Sequence, residues 1–145
     1  MQYVAIFHHE FKITDAEQYI NRCCYGGDIL VSLIEPHLRV NDFKIGKSGQ
    51  EDWGWFIWCD KKKYRYSIDI GLEDEEHWKY KIFVIEKTSF WKRLFSKSNE
   101  SNLDEVCYLV DYALKSYGIK NISWCKADEQ GTEVKEFTIK NSGKI

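Results

Sequence analysis

The N-terminal run His8-His9-Glu10 has side chains that can ligate zinc or move protons. Glu51 and Asp52 stand directly before the apolar stretch WGWFIWC, and Asp69 lies further along, so a carboxylate pair for acid/base work is conceivable. Cys23 and Cys24 are adjacent thiols. Glu73, Asp74, Glu75 and Glu76 form an acidic block that ends beside His77 and Trp78. Later, FWKRLFSK at 90–97 sets Phe90, Trp91, Leu94 and Phe95 against Lys92 and Arg93.

Spacing weakens most of these as catalysts. Neighbouring strand residues point to opposite faces, so His8 and Glu10 can share a site that His9 cannot easily join. A zinc site needs three or four convergent ligands, and no spacing among His37, His77 and the cysteines supplies them. Glu51 and Asp52, being adjacent, do not face one substrate together. The sequence reading gives Asp52 a structural role, bonding backbone donors where the strand begins. Cys23-Cys24 has no neighbouring base to make a thiolate, and Gly26-Gly27 matches no phosphate loop. No catalytic residue, metal or cofactor is therefore assigned. The segment at 90–97 reads as a loop with its aromatics tucked over the sheet edge, or as a contact surface.

Charge and composition bound the partners. A formal net charge of −2 offers no basic excess for binding nucleic acid. Aromatics make up 16% of 145 residues, enough for a thick core with some left for an interface. Five cysteines without a pairing pattern point to a reduced, cytoplasmic protein. The N-terminus has no signal-peptide pattern, and no apolar stretch approaches the length of a membrane span.

The elements that must position these groups follow from periodicity. Residues 3–13 alternate as a non-edge strand. Residues 14–27 suggest a short helix with Ala16, Tyr19, Ile20 and Cys23 as its stripe, broken by Gly26-Gly27. Asp28 then starts a helix with Ile29, Leu30, Leu33, Ile34 and Leu38 at helical spacing, and Pro36 is expected to kink it or loosen its last turn. Phe43 and Ile45 make a brief extended piece. In 53–59, Trp53, Trp55, Ile57 and Cys59 share one face of a strand, which forms a hairpin with YRYSIDI. WKYKIFVIE at 78–86 completes a meander. Ser101 and Asp104 form a capping box for a helix with core residues Leu103, Val106, Cys107, Val110, Ala113, Leu114 and Tyr117, ended by Gly118. Residues 121–125 and EVKEFTI supply two last strands, the final one at the sheet edge. The expectation is one domain over 1–145, of class α+β. It has a largely antiparallel sheet of about five or six strands and two main helices packed on one face.

The order CYGGDILVSLIEPHLRVNDFKIG, EDWGW, a Tyr-rich strand with IG, W…IFVIE, a late helix and ISW resembles a family of small bacterial proteins, mostly described as hypothetical. The resemblance covers roughly residues 24–125, and EDWGW is its sharpest motif. It implies a shared α/β domain with Gly27, Asp28, Glu51, Asp52, Trp53, Gly54 and Trp55 at the matching positions, and it carries no catalytic residues.

These readings lead to a non-enzymatic bacterial binding protein, of the kind that acts as an immunity protein by occluding the active site of a toxin. A basic toxin domain would meet Glu73, Asp74, Glu75, Glu76 and Trp78, with Trp91 as a further contact. The alternative is a small hydrolase using His8 or His9 with Asp52 or Asp69. An RNA-binding module built on Phe90, Trp91 and Lys92 ranks third. Monomer and dimer are both left open.

Overall fold

A computed structural model describes residues 2–87, 102–128 and 130–139. Its strands are β1 (Gln2–His8), β2 (Lys44–Glu51), β3 (Gly54–Lys61), β4 (Tyr64–Asp74), β5 (Lys79–Glu86), β6 (Ser123–Ala127) and β7 (Glu133–Glu136). Helix α1 spans Gly27–Val40 and α2 spans Leu103–Tyr117. The class is α+β, and all neighbouring strands run antiparallel in the order β2-β3-β4-β5-β1-β6-β7. Four strands form a meander, and β1 is inserted between β5 and β6, as its apolar faces predict.

The seventh strand is β2, read from sequence as a polar loop with a brief extended piece. Its sequence KIGKSGQE lacks the usual strand-formers, but it lies at the sheet edge, where one side of the ladder and much of its side-chain surface meet water. The hairpin turn is consequently Asp52-Trp53, with Glu51 opposite Gly54. Trp53 thus leaves the strand face it was expected to share with Trp55 and is 45% exposed.

Alternation settles the core. Tyr3, Ala5 and Phe7 of β1, Ile57 and Cys59 of β3, Tyr66, Ile68 and Ile70 of β4, and Tyr80, Ile82 and Val84 of β5 belong to one buried cluster. The register places Ala5 opposite Ile82 and Ile68 opposite both Ile57 and Val84. The same cluster takes in Leu30, Ile34 and Leu38 of α1 and Leu103, Val106, Cys107, Val110 and Leu114 of α2. Both helices present these residues at helical spacing.

Residues 14–27 do not form the expected helix. Asp15 Oδ1 accepts from the Glu17 N–H at 3.2 Å, and Asn21 Oδ1 accepts from the Cys23 N–H at 2.9 Å. Such local bonds offer the backbone an alternative to the helix ladder, leaving short 3-10 turns at Ala16–Gln18 and Arg22–Cys24. Of the proposed stripe only Tyr19 is buried; Ala16, Ile20 and Cys23 are exposed. Strand β1 ends at His8 rather than Ile13, and Phe11 instead packs edge-on against Tyr80 with ring centroids 5.7 Å apart.

Helix α1 continues past Pro36 to Val40. Pro36 and Ser32 both face solvent, where water can meet the carbonyl that the proline leaves without a donor. Gly118 ends α2 in the left-handed region at φ 107°, as expected. The N-cap of α2 is Asn102, whose N–H donates to the Tyr66 hydroxyl at 2.7 Å; Ser101 of the expected capping box lies outside the described residues. Tyr117 is not a core residue but is 48% exposed.

A buried ion pair ties the helices to the sheet. Lys61 Nζ lies 2.7 Å from Glu105 Oε1, donates to the Asn41 carbonyl at 2.9 Å, and sits 4.7 Å from the Phe43 ring centroid. It joins the end of α1, the end of β3 and the first turn of α2.

Candidate functional site

The β2–β3 turn is docked by the chain that precedes α1. The Asn21 side-chain amide donates to the Asp52 carbonyl, and Cys24 Sγ donates to the Glu51 carbonyl at 3.0 Å. Trp55 Nε1 donates to the Cys24 carbonyl at 2.9 Å, and its ring occupies the space where a side chain on Gly27 would be. Gly54 sits at φ 150°, and a Cβ there would overlap the Ile70 carbonyl oxygen of β4. Asp28 accepts from the Tyr19 hydroxyl at 2.6 Å; burial first, and then Asp28, push that hydroxyl up to about 12. Gly27, Asp28, Gly54 and Trp55 thus join the 3-10 turns, α1 and the hairpin. Asp52 contributes its backbone carbonyl, and among the described residues its carboxylate bonds no turn donor, which corrects the expected anchor.

Beside this joint, on the sheet face opposite the core cluster, lies a cavity of about 350 Å³. Its lining includes Trp53 from the turn, Cys23 from the second 3-10 turn, Asp69 and Glu73 from β4, and Lys81 and Phe83 from β5. The register explains the convergence: Asp69 stands opposite Phe56 on one side and Phe83 on the other, and Lys81 stands opposite Gly71. Phe56 and Trp58 share this face, with ring centroids 5.5 Å apart, and Trp58 is 42% exposed.

Charge within the cavity is unevenly compensated. Lys81 Nζ lies 2.7 Å from Glu73 Oε2 and 2.9 Å from Glu133 Oε1, while Glu73 Oε1 is 3.2 Å from Lys79. Burial opposes the charge on Glu73 and on Lys81, yet these bonds hold the Glu73 carboxyl low and the Lys81 ammonium high. Among the described residues Asp69 has no such cation. The Ser67 hydroxyl donates to its Oδ1 at 2.5 Å. Burial pushes its carboxyl up, against the lowering influence of Ser67 and the charge of Lys87.

The other sequence candidates lie apart. His8 is exposed, with Nδ1 donating to the His77 carbonyl at 2.9 Å. His9 packs against Phe11 and Tyr117 at centroid distances of 4.5 and 5.7 Å. Neither histidine lines the cavity that holds Asp69. Asp52 is exposed at its turn, so the proposed hydrolase residues do not converge. No cluster of three or more His, Cys, Asp or Glu suited to a metal occurs among the described residues.

The acidic block is largely bonded to side chains of the same chain. Glu73 pairs with Lys79 and Lys81, Asp74 with His77 at 2.7 Å, and Glu75 with Arg22 at 2.6 Å. Glu76 makes no side-chain bond among the described residues. Trp78 is partly buried against the core at φ 50°. Trp91 and the rest of 90–97 lie outside the described residues.

Sequence reasoning missed Lys81, Phe83 and Cys23 as site residues. Alternation in KYKIFVIE puts Lys81 and Phe83 on one face, but only the β4–β5 register brings that face beside Asp69. All five cysteines are free, and no helix among the described residues is long and apolar enough to cross a membrane. No family model and no curated protein matches this chain.

Proposed function

We propose that this chain is a non-enzymatic bacterial binding protein that acts in the cytoplasm by occluding a basic partner protein, in the manner of an immunity protein. The carrying observation is the cavity lined by half-exposed Trp53 and by Asp69, a carboxylate with no ion-pair partner among the described residues. We read both helices as one layer over the Tyr3–Ala5–Ile68–Ile82 face. Their shared cluster with that face supports this, and the opposite face of β3–β5 is then left for recognition. An exposed aromatic flanked by acids suits a basic partner, because charge steers encounter and the aromatic supplies affinity.

Glu73 belongs to both the acidic block and the cavity, so the block continues the rim rather than forming a separate patch. Its internal ion pairs shift the centre of recognition toward Trp53, Trp58 and Asp69. Free thiols suit a reducing compartment. The resemblance to small bacterial proteins belongs to this proposal and supplies its bacterial setting.

Capture of the endogenous partner by the tagged protein, compared with a Trp53→Ala/Trp58→Ala double variant of unchanged melting temperature, tests the reading. The wild-type chain is expected to retain a specific protein that the variant loses. Identical captured sets would remove the proposal.

A further inference from the structure

We propose that the cavity between Trp53 and Phe83 is a socket for an arginine side chain of the partner protein, whose guanidinium seats on Asp69. This deepens the binding-protein reading and rests on it.

Geometry carries the proposal. Asp69 projects from β4, the third strand from the β2 edge, between Phe56 and Phe83 of the flanking strands. One oxygen, Oδ1, accepts from the neutral Ser67 hydroxyl, and the other takes no hydrogen bond among the described residues. A half-buried carboxylate with a single neutral donor is poorly stabilised; charged partners in such places give the stronger hydrogen bonds. Among the described residues the cations nearby do not fill that role. Lys81 is held between Glu73 and Glu133, and Lys87 is exposed and acts on Asp69 only through its charge.

Of the two lining carboxylates, Glu73 is already paired with Lys79 and Lys81, so Asp69 is the one left without a bonded cation among the described residues. A cation is therefore the favoured occupant. The walls refine its type. Two aromatic residues, half-exposed Trp53 and Phe83, line the cavity, and aromatic walls favour a planar, weakly hydrated guanidinium over an ammonium. A volume of about 350 Å³ admits the guanidinium with its methylene stem. Phe83 provides apolar surface for that stem.

The test uses the whole chain and the peptide acetyl-Gly-Arg-Gly-amide, with the neutral citrulline peptide of the same shape as control. The amide resonance of Gly71 and the indole resonance of Trp53 report occupancy. The alkylation rate of Cys23, the exposed cysteine on the rim, gives an independent reading. The arginine peptide is expected to shift both resonances saturably and to slow alkylation. The citrulline peptide should do neither, and Asp69→Asn should weaken binding by about tenfold or more. Asn keeps an acceptor for Ser67, so its melting temperature should hold or rise. No saturable shift, equal binding of the citrulline peptide, or equal binding by Asp69→Asn overturns the socket. A fall in the melting temperature of Asp69→Asn also counts against it, because the carboxylate would then serve the fold. Partner capture that needs Trp53 and Trp58 but not Asp69 would defeat the socket alone. Arginine-peptide binding without any captured partner would instead defeat the broader reading.

Discussion

The inner and outer halves of the β2–β3 hairpin differ in how fully their groups are partnered. On the inner side, Trp55 donates to the Cys24 carbonyl, fills the space above Gly27 and packs on the core. On the outer side, Trp53 is 45% exposed and borders a cavity in which Asp69 has one neutral donor among the described residues. Two tryptophans of one short motif therefore do different work. One closes a joint between three segments of chain, and the other stays half in solvent beside a cavity that Asp69 also lines. Satisfied groups hold a fold, whereas an incompletely partnered group beside a cavity is where binding can still lower the free energy.

Substitution of Gly54 is the most severe way to break the inner half. Ala there must adopt φ near 150° and would press its Cβ into the Ile70 carbonyl, which belongs to backbone and cannot swing aside. The expected loss is about 3 kcal/mol or more, in the range of positions that combine backbone strain with overpacking. Chemical denaturation would measure it. A loss comparable to that of an ordinary surface change would mean the β3–β4 spacing is looser than the geometry shows.

A paired change sharpens the contrast between the tryptophans. Trp55→Phe removes the bond to Cys24 and leaves space beside Gly27, for about 1–3 kcal/mol. Trp53→Phe should stay within about 0.5 kcal/mol, because the indole makes no hydrogen bond among the described residues and much of it is in water. Thermal melts of both variants would decide the matter, and equal losses would abolish the distinction between the halves.

Much of the fold is legible in the sequence where one face of an element is apolar. Leu103 through Leu114 at helical spacing, and Tyr64 through Ile70 at period two, announce their buried faces directly. Legibility fails where polar side chains decide the backbone. Asp15 and Asn21 turn a plausible amphipathic helix into 3-10 turns, and KIGKSGQE becomes a strand only because β3 offers it a partner. The candidate site is harder still. Asp69 and Trp53 each stand out in the sequence, but their meeting depends on a strand register and on the placement of a two-residue turn. The expected six-strand limit failed for the same reason, since an edge strand needs little apolar pattern.

Asp69→Asn tests the outer half with an effect of opposite sign. Burial raises the Asp69 carboxyl above its ordinary value of 3.8. A folded state that binds the proton more readily than the unfolded chain is penalised once the group ionises. The penalty is absent below about 3.8 and grows as pH rises through the window up to the raised folded value. At neutral pH the Asn variant should therefore equal or exceed wild type by up to about 1 kcal/mol, and the gain should vanish in acid. Melting temperatures across the acid range would show this; a variant less stable at neutral pH would place Asp69 among the satisfied groups of the inner half.

The smallest effect is predicted at the residue that looks most like a turn anchor. Asp52 precedes the tryptophans, and an Asp at a strand entry commonly bonds backbone donors. Here the anchoring runs the other way, because the Asn21 amide donates to the Asp52 carbonyl and the Asp52 side chain stays in solvent. Asp52→Ala keeps that carbonyl and should change stability by less than about 0.5 kcal/mol, whereas Asn21→Ala removes the donor together with the cap of the second 3-10 turn and should lose about 1 kcal/mol. Denaturant midpoints for the two variants would separate them. The reverse order would return the anchor to the Asp52 carboxylate and make the exposed half of the hairpin part of the fold's own fastening.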